Sequence, residues 1–572
     1  MRSTCGAIVR GLVFLAFTGA STFGGPVAAV PAAGSTAETS DIIPPNRRTQ
    51  WRPGIPGGIP SVATVCRTID AAKYGNATAD ATGAIQAALD ACPEGQAVVL
   101  PAGTYRTTNV LWLRKGVVLR GAGPGATRIR RDGAREDYAG TVVRINNDSA
   151  LGDGVAVTVD AARGSSTVTV ADASSFKVGE IVQIDQRDDP AVVTTGDCKW
   201  FKRVDADGTA RSAGQLVEVV SVSGKTVGLA SPLYSDLATA FRPQVVKISP
   251  APVRYAGVED LYLTGGIGSM IHVAFAAYAW VKNVESDRVW GRHVALAACY
   301  RCVVRDSYIH HASHGYHPGA NAYGISLNSQ TSDTLVENNI VYYLNKLVTL
   351  EASGGGNVIA YNYIDDPVLG GGTDWQEVAI DGSHCSHPRM ELFEGNWAPH
   401  VGAAATHGSA RHLTFFRNHA PARSRTVVQT ANVEAVQFDA SMHEMNVLGN
   451  VLLRPGVSGA IYEGVPHTAK TYAWDSWKAP AKAYWLGGWA SGDDPNNFDP
   501  KVKATILRHG NFDYATNRTV WDPGIARRDL PPSLYLTEKP SFFGSEAWPF
   551  VDPERVPKVG VLPAKRRFDA LP

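Results

Sequence analysis

Net charge is what this sequence lacks first. Its 54 Lys and Arg residues stand against 53 Asp and Glu, a formal balance of +1 over 572 residues, so it carries no electrostatic footprint for nucleic acid. Helical periodicity is missing from the middle of the chain, which excludes a bundle. No apolar run is long enough to span a bilayer; the longest at the N-terminus, Gly11 to Phe17, is bracketed by Arg2 and Arg10 before it and small residues ending Val30-Pro31-Ala32-Ala33 after it. That pattern reads as an export signal over 1–33, with a secreted or periplasmic mature chain and no membrane contact after cleavage. Cysteine is sparse. Without Cys5, which leaves with the signal, six remain: Cys66, Cys92, Cys198, Cys299, Cys302 and Cys385. An even count in an exported chain permits disulfides, Cys66–Cys92 being the first expected, while buried free thiols are the alternative.

What is present is a repeat. Apolar residues surround an Asn or Asp at Asn283, Asp306, Asn338, Asn362, Asn396, Asn418 and Asn450, with gaps of 23, 32, 24, 34, 22 and 32 residues. A base period of 22 to 24 with extra loops signals stacked coils. Each coil is strand-rich, as in Thr334-Leu335-Val336 and Leu413-Thr414-Phe415. One such coil cannot bury its own apolar side, so coils must stack. Asn tolerates left-handed backbone and its amide can bond the next Asn along the stack. The fold class is therefore all-β, a parallel β-helix solenoid, with Asn338, Asn362, Asn396, Asn418 and Asn450 expected in one ladder.

In chain order, 34–60 is a Pro/Gly-rich extended lead-in, and 61–152 forms the N-terminal cap and first coils. The cap includes a short amphipathic helix with Ile85, Ala88, Leu89 and Cys92 on its apolar face. Residues 153–235 alternate at period two between Gly/Ser turns, the mark of an inserted small β-barrel or sandwich serving as spacer or lid support. Coils with an active-site groove fill 236–470, and 471–572 supplies C-terminal coils and a cap over the open end.

The cap helix followed by Val98-Val99-Leu100-Pro101-Ala102-Gly103-Thr104-Tyr105 and Gly116-Val117-Val118-Leu119-Arg120-Gly121 resembles the opening of the pectate lyase/polygalacturonase superfamily of right-handed β-helices. The resemblance is close over about 68–130, and the Asn-cornered coils extend it to Asn450. It implies a right-handed solenoid with an N-terminal capping helix, related to polygalacturonase-type glycoside hydrolases. It leaves the substrate open, because that fold carries lyases, hydrolases, epimerases and tailspikes. The polygalacturonase triplets Asn-Thr-Asp, Gly-His-Gly and Arg-Ile-Lys are not found. Asp365-Asp366 follows its corner Asn and belongs to another strand.

Chemistry is located by registering the coils. The strand before each corner carries two inward apolar residues, Ile325/Leu327, Val348/Leu350, Val378/Ile380 and Val436/Phe438, and the outward residue just past each pair is Asn328, Glu351, Asp381 and Asp439. Glu351 and Asp439 precede their corner Asn by eleven residues, and the same offset from Asn418 gives His407; Asp381 needs a longer turn. The expected outward column is Asn328, Glu351, Asp381, His407, Asp439, with coils ~4.8 Å apart. Paired carboxylates are what glycoside hydrolysis requires, at ~5 Å for retention or ~6.5–9.5 Å for inversion. Asp381 is expected as the central carboxylate, with Glu351 or Asp439 as partner and His407 at the leaving oxygen. Glu377, His384, His387, Asn328, Trp375, Arg389 and Arg411 are expected to hold the substrate, with Lys346 a further partner for an acidic sugar.

Eleven of the fifteen histidines fall between His310 and His443. His384 and His387 flank Cys385 without a zinc-ligand spacing, and His310, His311, His314 and His317 read as rim residues of a polar loop, so no metal is assigned. No cofactor is expected for a hydrolase; calcium would join a lyase. Three readings remain: a secreted hydrolase of a polysaccharide, a lyase eliminating across a uronate, and a non-catalytic carbohydrate-binding solenoid.

Overall fold

The computed structural model describes residues 42–133, 140–194, 196, 198–313, 321–369, 374–464, 480–488 and 498–571. The expected signal over 1–33, the start of the lead-in, His314 and His317 lie outside the described residues.

Each coil contributes three short strands, such as Leu335–Glu337, Ile340–Leu344 and Val348–Glu351. Each strand pairs in parallel with its counterpart one coil on, Val358–Ala360, Tyr363–Pro367 and Ile380–Cys385. The result is a right-handed parallel β-helix. The third strands stack into a twelve-stranded sheet, here the front sheet. Ile325, Val348, Ile380, Val401 and Val436 align across it, and all are buried. β-branched and branched apolar side chains fit this pleated, stacked surface, each contributing ~1.5–3 kcal/mol on full burial.

The corners carry the Asn ladder, displaced by one residue in one coil from the expected register. Side-chain amides donate along the stack from Asn339 to Asn362 (3.0 Å), Asn362 to Asn396 (3.0 Å), Asn396 to Asn418 (3.1 Å), Asn418 to Asn450 (3.0 Å) and Asn450 to Asn511 (2.9 Å). Asn338 stands outside it and bonds Asp306 at 2.7 Å. The reason is that the left-handed corner residue precedes the ladder: Tyr361, Gly395, Arg417 and Gly449 hold φ of 56°, 63°, 52° and 63°, and Asn338 at 55° occupies that position. At Gly395 a Cβ would meet the Tyr361 ring at 2.4 Å, so glycine is required there by space as well as by φ.

The helix Thr82–Ala91 covers the first coils with Ile85, Ala88 and Leu89 buried, and the Cys66–Cys92 disulfide fixes its end. The insertion is wider than expected: strands Ala150–Ala156 and Gln244–Ser249 pair with one another and bound it. Its six antiparallel strands close through the Val157–Val170 bridge into a small barrel with its own core. It is fastened to the coils by a second disulfide, Cys198–Cys385, and by Leu216 N–H on Ser332 Oγ (3.0 Å). Cys299 and Cys302 are buried free thiols.

The C-terminal segment is a strap along the corner flank, not only the end cap expected. The Arg417 guanidinium donates to the carbonyls of Leu530, Pro531 and Val551, Trp548 Nε1 donates to Tyr361 (3.0 Å), and Tyr535 donates to Glu337 (2.9 Å). Outward aromatic residues there, Tyr361, Tyr363 and Phe416, would otherwise face water. The lead-in runs the same direction back along the stack, with Arg47 on Thr505, Trp51 on Met390 and Gly54 on Asp333. Among the described residues no helix is long and apolar enough to cross a membrane.

Candidate functional site

The front sheet sets which side chains meet. Outward positions align as Ser326, Thr349, Asp381, Gly402 and Gln437, and two residues further on as Asn328 and Glu351. Asp381 is therefore not level with Glu351. Ile380 pairs with Val348 and is the first inward residue of its strand, not the second; a register shift then brings Cys385 opposite Glu351. This coil, 34 residues from Asn362 to Asn396, takes up part of its extra length inside the strand, which moves Asp381 back by two positions. His407 lies outside the column as well, in the turn after the strand Val401–Ala403.

Asp381 has nevertheless a dense set of partners. Lys346 Nζ lies 3.1 Å from its Oδ2 and also pairs with Glu377. His384 Nδ1 is 3.3 Å from Oδ2, and the amides of Ser383 and Ala404 donate to Oδ1 at 3.1 Å each. Burial opposes ionisation of Asp381, yet Lys346 and then His384 outweigh it and hold the carboxyl well below its ordinary range. Burial would likewise strip Lys346 of its proton, but Glu377 and Asp381 reverse that and raise its pKa.

Asp439 sits two coils beyond, on the same outward face, with the strand Val401–Ala403 between. Its Oδ2 accepts the amide of Ala405 (3.0 Å), adjacent to the Ala404 amide that Asp381 holds, and its Oδ1 accepts Gln437 Nε2 (2.8 Å). Burial pushes its carboxyl up to about 7, and the charge of Asp381 adds to the rise. His400, buried beside this pair, is held neutral by burial and by Lys346, its pKa lowered to about 3. One carboxyl is thus fixed as the anion while its neighbour keeps a proton near neutrality, a division that acid–base chemistry uses.

Both carboxylates are buried, and the cluster meets solvent at its rim. Glu377 keeps 12% and His384 10% of its side chain exposed, and His407 is half-buried with its ring 4.9 Å from that of His384. Tyr323 OH lies 3.2 Å from His384 Nε2, and burial raises the phenol to about 12. Glu351 is bonded by Arg292 (2.8 Å) and not by the Asp381 group; Asn328 shares its row as expected.

The remaining expected residues lie elsewhere. His387, Arg389 and Arg411 line a separate cavity of about 310 Å³ between the inserted barrel and the coils, with Arg163, Gln186 and Glu444. Burial, then Arg389, keeps His387 well below its ordinary pKa; His387 bonds Ser409 within the coils, and Arg389 donates to Gly214 O (2.6 Å) of the insertion. Trp375 packs against Ala431 and Trp485. The sequence reading missed Arg292, Gln437 and the pairing of Lys346 with the central acids. The signal for Lys346 was available: a lone lysine between Leu344-Asn345 and Leu347, where the chain enters a buried strand.

A family model described as rhamnogalacturonase A/epimerase, pectate lyase-like, matches residues 70–226. That stretch holds the cap helix, the first coils and most of the barrel, and ends before the candidate site. No curated protein matches the chain. Among solved structures, the tailspike protein gp49 of Pseudomonas phage LKA1 is 18% identical, aligns over 67% of this chain and 59% of its own, and has a TM-score of 0.45. The A-module of a mannuronan C-5 epimerase of Azotobacter vinelandii is 14% identical over 78% of this chain and 98% of its own, with a TM-score of 0.37. An alginate lyase of a Paenibacillus species is 10% identical over 77% and 99%, with a TM-score of 0.34. The chain thus spans 59% of the length of that tailspike. The likeness is one of fold.

Proposed function

We propose that this chain is an exported, polysaccharide-cleaving glycoside hydrolase in which Asp439 is the acid and Asp381 the ionised carboxylate. The observation that carries the reading is the division of charge between two neighbouring buried carboxyls, one held anionic by Lys346 and the other raised to about 7. Protonated Asp439 would give its proton to the departing glycosidic oxygen, and Asp381 would either deprotonate the water that attacks the anomeric carbon or attack that carbon itself, water then releasing the sugar. The substrate would enter over the His384–His407 rim, with Glu377 and His384 bonding sugar hydroxyls. Lys346, Arg292 and Lys482 are each already paired with a carboxylate, which favours a substrate whose recognition does not depend on a free cation. The family-model match supports a carbohydrate polymer as substrate, and two disulfides support an oxidising compartment.

The Tyr323–His384 contact favours a second reading, elimination across a uronate, in which one group removes the proton and the other returns one to the leaving oxygen. A panel of neutral and uronate-containing polysaccharides separates the readings. New reducing ends without ultraviolet absorbance from unsaturated uronates support hydrolysis, and Asp381→Asn should then lower turnover by ~10²-fold or more. Unsaturated products establish the lyase, and binding without either product overturns both.

A further inference from the structure

Three metal-binding side chains lie together on a different sheet from the Asp381 cluster. Asp287 in the strand Trp280–Val289 is paired in parallel register with His310 in the strand Tyr308–Ala312, so their side chains stand on the same outward face one coil apart. His311 would ordinarily point to the opposite face. Its φ of 59° breaks the alternation, and its ring turns back toward His310. The bend belongs to the fold: Arg288, Tyr343 and Asp366 occupy the same step of adjacent coils with φ of 60°, 53° and 53°. The sequence has placed histidine at that step only here.

One donor atom from each of Asp287, His310 and His311 lies within 4.8 Å of the other two. His310 Nδ1 and His311 Nδ1 are 2.7 Å apart, so a proton or a cation must lie between their lone pairs. Asp287 Oδ1 is buried without a hydrogen bond and 3.4 Å from His310 Nδ1, while its Oδ2 is steadied by Tyr262 OH (2.7 Å) and Arg288. The other nitrogen of His310, Nε2, lies 3.4 Å from Glu285 without a hydrogen bond, close enough for a small ring rotation to bring that carboxylate behind the imidazole. His310 stacks on Tyr308 with ring centroids 3.9 Å apart, which fixes its plane, and His311 is half-buried.

We propose that Asp287, His310 and His311 bind one divalent transition-metal ion of the zinc or cobalt kind, cross-linking two successive coils. Two imidazoles and one carboxylate suit such borderline ions and do not suit calcium, which takes an all-oxygen shell. This assignment is independent of the proposed hydrolysis.

The test uses the full untagged chain, cleared of metal with a chelator and titrated with Co²⁺ by visible absorption and with Zn²⁺ by calorimetry. One equivalent should bind, with cobalt bands of a low-symmetry nitrogen–oxygen site, and Zn²⁺ should raise the melting temperature. His310→Ala combined with His311→Ala should abolish both signals, while His443→Ala, which removes a histidine paired with Asp499 elsewhere, should leave them. Should the double variant fail to fold, Asp287→Asn keeps the shape and the Tyr262 contact and should weaken binding on the order of ten- to a hundredfold. No stoichiometric binding by the native chain, or binding unchanged in the variants, overturns the proposal.

Discussion

Lys346 is the residue on which the candidate site turns. It is buried between Glu377 and Asp381, and its single charge holds Asp381 anionic away from water. Lys346→Met fills the same space without the charge and leaves both acids unmatched. Breaking a buried ion pair from one side costs ~3–5 kcal/mol, so a marked fall in denaturant midpoint is expected, with much of it recovered when Glu377→Gln and Asp381→Asn are added. Native stability in Lys346→Met would contradict the role. At this scale the sequence was partly legible. Outward acids at Glu351 and Asp439 followed from period-two alternation, but alternation cannot count a bulge, and the two-position offset of Asp381 was hidden in one.

Among elements, the Asn ladder does for the corners what apolar stacking does for the interior. Asn418 receives the side-chain amide and the backbone N–H of Asn396 and donates to Phe393 O (2.9 Å) and Asn450. Asn418→Ala leaves several of these groups buried and unpaired, at ~1–3 kcal/mol for each group that water cannot reach. Asn338→Gly keeps the left-handed φ and loses only the bond to Asp306, worth ~1 kcal/mol. Thermal denaturation should therefore rank Asn418→Ala well below Asn338→Gly, and equal losses would place the ladder elsewhere. The repeat spacing made the ladder's existence readable. It pointed to Asn338 where the ladder residue is Asn339, because both suit a corner and only backbone φ separates them.

The whole molecule adds what no local pattern contains. Cys198 and Cys385 are 187 residues apart, yet their disulfide ties the inserted barrel to the strand that carries Asp381 and His384. The lead-in and the C-terminal strap clasp the coils through contacts such as Arg47 with Thr505 and Tyr535 with Glu337, whose separations leave no periodic trace. Solenoid, capping helix and barrel were legible as segments; their mutual placement was not. That placement encloses Asp381 and Asp439 together, and burial is what raises Asp439 to about 7. A raised carboxyl pKa means that the proton needed for acid catalysis is held below that pH and lost as pH rises through it. On whichever polysaccharide is cleaved, the pH dependence of kcat/KM is the decisive measurement. The account predicts activity falling above about pH 7, and an Asp439→Asn enzyme that is well folded, ~10²-fold slower or more, and without that alkaline limb. An Asp439→Asn enzyme with native rate and an unchanged alkaline limb would contradict it.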